Sequence, residues 1–258
     1  MAYAFKVMPG TRICLAEFDP DFDACLTPEQ GAAEFDALNT ELAEMQQRCY
    51  ACRQHSILML FQGLDTSGKD GAIRNVLRNV SHHGCRVEAF KQPTDEELSH
   101  DFLWRYHKVT PAKGMMGVFN RSYYEDVLAV RVHKKVPPGV WQARYAQIND
   151  FERMLTANGT IILKFFLHIS KEEQERRLLA RERKKRWKLS PSDWRERALW
   201  DDYMEAYSDA LTYCSTPEAP WYIVPANKKW YRNLAVCEAS VQTMREYNGA
   251  WVAALESE

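Results

Sequence analysis

The sequence predicts an α/β protein, a parallel sheet flanked by helices, and three observations predict it. Short apolar runs recur at 56–62, 85–90, 115–120, 160–168 and 221–225. Each is the kind of run that fills a strand covered on both faces. Helical stretches at 69–80, 95–106, 122–130, 140–157, 171–186, 190–213 and 228–247 separate or follow them, and strands alternating with helices build βαβ units. The first strand also runs straight into a glycine-rich loop and then a helix, at the carboxyl end of a strand, where open α/β sheets bind ligands.

The 258 residues are 46% hydrophobic and 12% aromatic, which is ample for a core. With 34 Lys+Arg against 35 Asp+Glu the formal charge is -1, so bulk attraction to nucleic acid or to an anionic membrane does not organise this protein. Any basic site must be local. No Pro/Gly/Ser-rich linker interrupts the chain, so one domain is expected over 1–258: an N-terminal helical extension at about 1–55, a core at about 56–170 and 220–258, and a lid at about 171–213. The start lacks the basic and apolar regions of a secretory signal. No apolar stretch approaches the ~20 residues of a spanning helix, and a cytoplasmic location is expected. The seven Cys read as reduced thiols, the lone Cys49/Cys52 pair included.

Residues 27–53 carry Phe35, Leu38, Leu42, Met45 and Cys49 at helical spacing and predict an amphipathic helix leading into the core. The run SILMLFQ then ends at Gly63, and GLDTSGKDG follows from Gly63 to Gly71. Gly63, Gly68 and Lys69 fit the G-x-x-x-x-G-K part of a P-loop, in which backbone N–H groups wrap phosphate oxygens at a helix N-terminus and the lysine bridges phosphates. The phosphate-binding set is Gly63, Thr66, Ser67, Gly68, Lys69, Asp70 and Gly71. The Ser/Thr that usually follows the lysine and holds Mg²⁺ is Asp70 here, and the loop carries a second carboxylate, Asp65. A carboxylate in an anion-binding loop makes electrostatic sense when a cation sits between it and phosphate, so Asp65 is the metal candidate. Asp70 has two open readings, as a ligand-side group or as an acid interacting with the helix dipole.

The third strand ends in Asn120, where an acidic residue would normally help to bind Mg²⁺, and Arg121 follows. Arg121 offers a planar fork suited to phosphate; an ion pair with Glu125 or Asp126 is the other reading. Residues 171–188 hold nine Lys/Arg and four Glu, a local excess of five positive charges. Arg177 and Arg181 share a helix face there, and Lys184 and Lys185 extend the patch. This segment reads either as a lid over a polyanion or as a solvated helix. It lacks the interleaved aromatics of a nucleic-acid stacking platform. The His residues show no metal-ligand spacing.

These motifs resemble the polyphosphate kinase 2 family along nearly the whole chain. The resemblance is carried by the early PGT and DFD elements, GLDTSGKDG, the segment Gly84–Pro93, HDFLWR at His100–Arg105, FNRSYYEDV at Phe119–Val127, ERALWDDY at Glu196–Tyr203 and KWYRNLAV at Lys229–Val236. It implies a P-loop kinase core related to thymidylate kinase with a helical lid, Mg²⁺ with Mn²⁺ as a substitute, and assembly as a homodimer or homotetramer. FNRSYYEDV is similar to the class III branch, which implies reversible, in-line transfer from inorganic polyphosphate to AMP and ADP, giving ADP and ATP. By motif, Asp65 carries over as metal-binding, Lys69 as phosphate-binding, Asn120 and Arg121 as the second-motif pair, and Arg177 and Arg181 as lid arginines on the polyphosphate. Together with Asp65 and Lys69, Asn120, Arg121 and Arg177 make up the expected catalytic set.

Two departures from the family pattern stand out: Tyr123, where His or Trp is expected, and a shorter, more basic stretch between Arg181 and Trp187. Lys91, Gln92, Glu125 and Asp126 are acceptor-side groups or ordinary surface polar residues. An ATP-dependent nucleoside monophosphate kinase, or a non-catalytic nucleotide or polyanion binder, would share the P-loop.

Overall fold

A run of apolar side chains buried at every position makes β2 (Ser56–Gln62) the centre of a sheet rather than its edge. In the computed structural model, which describes residues 2–184 and 191–257, the sheet has six strands in the order β1-β6-β5-β2-β4-β3. β2 pairs in parallel with β4 (Met116–Asn120) on one side and β5 (Thr160–His168) on the other. β3 (Cys85–Ala89) lies outside β4 and β6 (Trp221–Pro225) outside β5, both parallel to their neighbours.

The N-terminal stretch corrects the expectation of a purely helical extension. It opens with β1 (Phe5–Lys6), antiparallel to β6 with Phe5 opposite Ile223, and so belongs to the sheet. A two-residue strand leaves no period for a pattern search to find.

The first helix, α1 (Pro28–Cys52), matches its prediction and shows its start signal: Thr27 Oγ1 accepts from Gln30 N at 3.3 Å, and Gln30 Oε1 accepts from Thr27 N at 2.9 Å. It ends at Arg53, in the left-handed region. Its buried face meets α10 (Lys229–Glu256), which runs beyond the expected end at 247 and also packs on α2 (Lys69–Val76) and β6.

Three expected helices are broken. Residues 95–106 form α3 (Asp95–Leu98) and α4 (Trp104–His107), because Asp101 Oδ1 accepts from Leu103 N and Trp104 N and restarts the helix. Residues 122–130 form a 3₁₀ turn at Tyr123–Asp126, with Ser122 Oγ accepting from Tyr124 N, and then α5 (Ala129–Val132). After α6 (Pro138–Ala157) and α7 (Lys171–Lys184), residues 191–213 form α8 (Pro191–Ala198) and α9 (Trp200–Tyr213). The expected site residue Lys185 lies outside the described residues, as does the side chain of Lys184.

One charged network holds these layers together. Lys164, in the middle of β5 and fully buried, donates to Glu152 Oε2 on α6 at 2.6 Å, Tyr124 OH at 3.0 Å and Cys214 O at 2.6 Å. All three ammonium protons are used. Glu152 Oε1 accepts from the Tyr123 and Tyr124 hydroxyls at 2.8 and 2.9 Å. The network ties the turn after β4 and the end of α9 to the sheet. Replacing one partner strands the other charge in the core. Lys164→Met should therefore cost about 3–5 kcal/mol in a urea titration, and adding Glu152→Gln should recover most of it.

Candidate active site

The loop between β2 and α2 closes because two glycines stand where side chains cannot. Gly63 has φ +148°, and a Cβ there would come within 2.8 Å of Ser67 Oγ and 2.9 Å of Leu167 O; Gly68 has φ +99°. Between them Thr66 is also left-handed, at φ 66°. Ser67 N donates to Leu64 O at 3.0 Å, and Lys69 opens α2.

The Lys69 side chain is buried and folds back over its own loop, with Nζ donating to Gly63 O at 2.6 Å and Leu64 O at 3.3 Å. Burial, helped by the charge of Arg121, pulls its pKa down to about 8 against the opposing pull of Asp65, Glu125 and Asp70. Thr66 Oγ1 and Ser67 Oγ are buried without a hydrogen-bond partner among the described residues. An orphaned hydroxyl pair beside a buried, only partly compensated lysine suits an oxyanion or an ion bound to one.

The end of β4 meets this loop. Asn120 Nδ2 donates to Asp70 Oδ1 at 2.6 Å. Arg121 is left-handed, donates its backbone N–H to Phe61 O, and sets its guanidinium between Asp65 Oδ1 at 2.8 Å and Glu125 Oε2 at 3.5 Å. Both readings of Arg121 thus meet in one residue: it makes the ion pair and also reaches the phosphate loop. Among the described residues no three His, Cys, Asp or Glu side chains cluster into a metal cage. Mg²⁺ is typically held by one or two carboxylates plus substrate phosphates and water. Asp65 beside the free hydroxyls of Thr66 and Ser67 fits that donor set.

Two clefts open on either side of Arg121. The larger, about 690 Å³, is lined by Phe90, Phe102 and Tyr106 and by Lys91, Arg105, Asp126, Lys135 and Arg144, with Arg121 and Glu125 at one end. Burial pushes the Asp126 carboxyl up to about 6, although Arg144 Nη1 lies 3.3 Å from its Oδ1 and opposes the shift. The smaller, about 280 Å³, lies between the loop and the helices after β5, lined by Gly63, Leu64, Asp65, Gln174, Glu196, Tyr203 and Tyr207. Arg121, Glu125 and Gln92 line both, so the spaces meet at that arginine.

The sequence thus places Gly63 to Gly71, Asn120, Arg121, Glu125 and Lys91 around one centre. The basic helix behaves differently. Arg177 is 8% exposed and turned onto backbone carbonyls, and Arg181 reaches Asp193 Oδ2 of α8 at 3.4 Å. Sequence reasoning missed Arg232 and Lys229 on the first turn of α10. Arg232 is 3% exposed and presses on the loop, its Nη1 filling the space a Gly68 Cβ would need. Burial, then the charges of Arg177 and Arg74, lower its pKa to about 10, and Lys229 is lowered by burial and by Arg177, Arg232 and Arg176. A signal existed: these residues follow β6 at its carboxyl end, where ligands of such sheets gather.

A buried lysine parked on a glycine loop, with space for two ligands meeting at one arginine, defines a P-loop phosphotransferase. Residues 26–250 match the profile of the family described as Polyphosphate kinase 2 (PPK2), and the chain belongs to that family. It is 48% identical over 244 residues to an AMP/ADP-polyphosphate phosphotransferase of Meiothermus ruber, covering 93% of this chain and 91% of the relative. It is 44% identical over 255 residues to an ADP-polyphosphate phosphotransferase of Rhodopseudomonas palustris, covering 93% and 88%. The crystal structure of polyphosphate kinase 2 from Arthrobacter aurescens superposes with a TM-score of 0.89 at 42% identity, covering 95% of this chain and 92% of that one.

The pKa of Lys69 gives a signed prediction. Below about pH 8 the ammonium is charged and available to an anion; above it the charge is lost. Pyrophosphate affinity, measured by calorimetry, should fall as pH rises through 8, and Lys69→Met should be both weaker and flat across that range. Without ligand the sign reverses: between pH 8 and about 10.4 the unfolded chain binds more protons, so the contribution of Lys69 to stability rises with pH.

Proposed function

We propose that this protein transfers phosphoryl groups from inorganic polyphosphate to AMP and to ADP, giving ADP and ATP. The observation that carries the reading is the meeting of the two clefts at Arg121, beside the phosphate loop. The larger cleft has the aromatic walls and cationic side chains that a nucleotide needs for its base and its phosphates. The loop offers Lys69 and a helix N-terminus to the anion at the other side. The relatives support both acceptors, one being named for AMP and ADP and the other for ADP.

In the proposed reaction an oxygen of the acceptor's terminal phosphate attacks the terminal phosphorus of polyphosphate in line, and the chain leaves one unit shorter. Lys69 leaves its loop carbonyls to hold a phosphate, and Arg121 neutralises charge between donor and acceptor. Asp65, with the Thr66 and Ser67 hydroxyls, would hold Mg²⁺, which when bound neutralises and orients the phosphates; Mn²⁺ serves as a substitute. Asn120, bonded to Asp70, supplies no charge at the strand end, so Asp65 carries the metal's anionic share. Arg181 on α7 adds positive charge towards the outgoing polyphosphate, and Lys184 and Lys185 keep only the polyphosphate-binding role that the family resemblance gives them. A homodimer or homotetramer acting in the cytoplasm, without nucleic acid or membrane as partner, completes the proposal.

The test is chromatography of nucleotides after mixing the protein with AMP, long-chain polyphosphate and Mg²⁺, without ATP. ADP followed by ATP is the expected result. Conversion of ADP alone in a parallel tube would restrict the acceptor range, and turnover of AMP with ATP but not with polyphosphate would overturn the donor.

A further inference from the structure

The guanidinium of Arg177 has five N–H donors, and all five are spent on the protein. Nε donates to Glu173 Oε1 at 2.5 Å, one terminal nitrogen to Thr66 O and Ser67 O at 2.9 and 3.0 Å, and the other to Ala226 O and Asn227 O at 2.6 and 2.9 Å. No donor remains for a phosphate, although the resemblance places this arginine on polyphosphate. We propose that Arg177 is instead a positioning residue, a brace that holds the phosphate loop from its carbonyl side and links it to α7 and to the start of α10.

The peptide plane explains how such a brace acts. In a trans peptide C=O and N–H point in opposite directions, so fixing Ser67 O sends the Gly68 N–H to the other side of the loop. Fixing Thr66 O likewise sets the Ser67 N–H, which closes the turn on Leu64 O at 3.0 Å. Thr66 is a β-branched residue at φ 66°, a conformation that persists only where its surroundings over-determine it. Two further contacts grip the same loop: Gln174 Nε2, one turn before Arg177, donates to Asp65 O at 3.3 Å, and Arg232 packs on Gly68. A lysine cannot replace the brace, because three protons on one nitrogen cannot serve the carboxylate and four carbonyls that Arg177 reaches with five donors on three nitrogens. A lysine can, however, replace an arginine that merely lends charge to a phosphate.

The inference rests on the phosphotransferase reading, and Arg177→Lys separates the two accounts of this residue. The brace predicts that kcat for polyphosphate-to-AMP transfer falls by about 100-fold, the effect of a misplaced reacting group, while KM for AMP stays within twofold of wild type. It also predicts weaker pyrophosphate binding and an unchanged slope of log Kd for long-chain polyphosphate against log salt. Wild-type kcat in Arg177→Lys, or in Arg177→Ala a slope shallower by about 0.7, the share of one phosphate contact on a flexible polyanion, would overturn it. Glu173→Gln removes the Nε anchor's charge more gently and should lower kcat about 5-fold in a protein with the wild-type melting temperature; unchanged kcat there also counts against the brace. Because the binding measurements need no turnover, an inactive wild type would count against the functional reading alone.

Discussion

The hydrogen bond from Lys69 Nζ to Gly63 O keeps a cation inside the protein before any anion arrives, and the arrangement around it follows from that constraint. A buried ammonium needs oxygen partners, and in this loop two backbone carbonyls supply them. They compensate it only in part, as its lowered pKa shows. A phosphate completes the compensation with full negative charge. Arg121 is held in the same provisional way, between Asp65 and Glu125. Each cation has a resting partner that a polyanionic substrate can outcompete, so the site stays folded when empty and gains charge neutralisation when filled.

Not every cation near the loop is of this kind. Arg177 is bonded at all its donors, whereas Arg232 bonds only to Asn233 Oδ1 beside it and has no carboxylate partner among the described residues. With Arg176 and Lys229 they concentrate positive charge behind the loop of a chain whose formal charge is -1. A local excess of this sort raises the effective concentration of anions without making the whole surface sticky to nucleic acid. It also explains why the composition alone says nothing about the site.

Much of the sheet was legible because its strands are continuous apolar runs: 56–62, 160–168 and 221–225 begin and end where expected. The phosphate loop was legible because Gly63, Gly68 and Lys69 encode backbone conformation and charge locally. What failed depends on contacts far apart in sequence. β1 is a strand only because β6 offers it an edge. The break at Asp101 turns on a side chain capping a backbone, which an apolar period does not register. Arg177 carries the helix-face spacing expected of a lid arginine, but its partners at 66, 67, 226 and 227 belong to other elements. Arg232 was hidden inside a motif whose helical period reads as core.

The central claim is that this loop and its surrounding cations form a polyphosphate site, and the direct measurement is binding of long-chain polyphosphate to the nucleotide-free protein across a salt series. The account predicts binding that weakens steeply as salt rises and that collapses in Lys69→Met while that variant still unfolds in one cooperative transition. Binding that ignores salt, or that survives the loss of Lys69 unchanged, would contradict it.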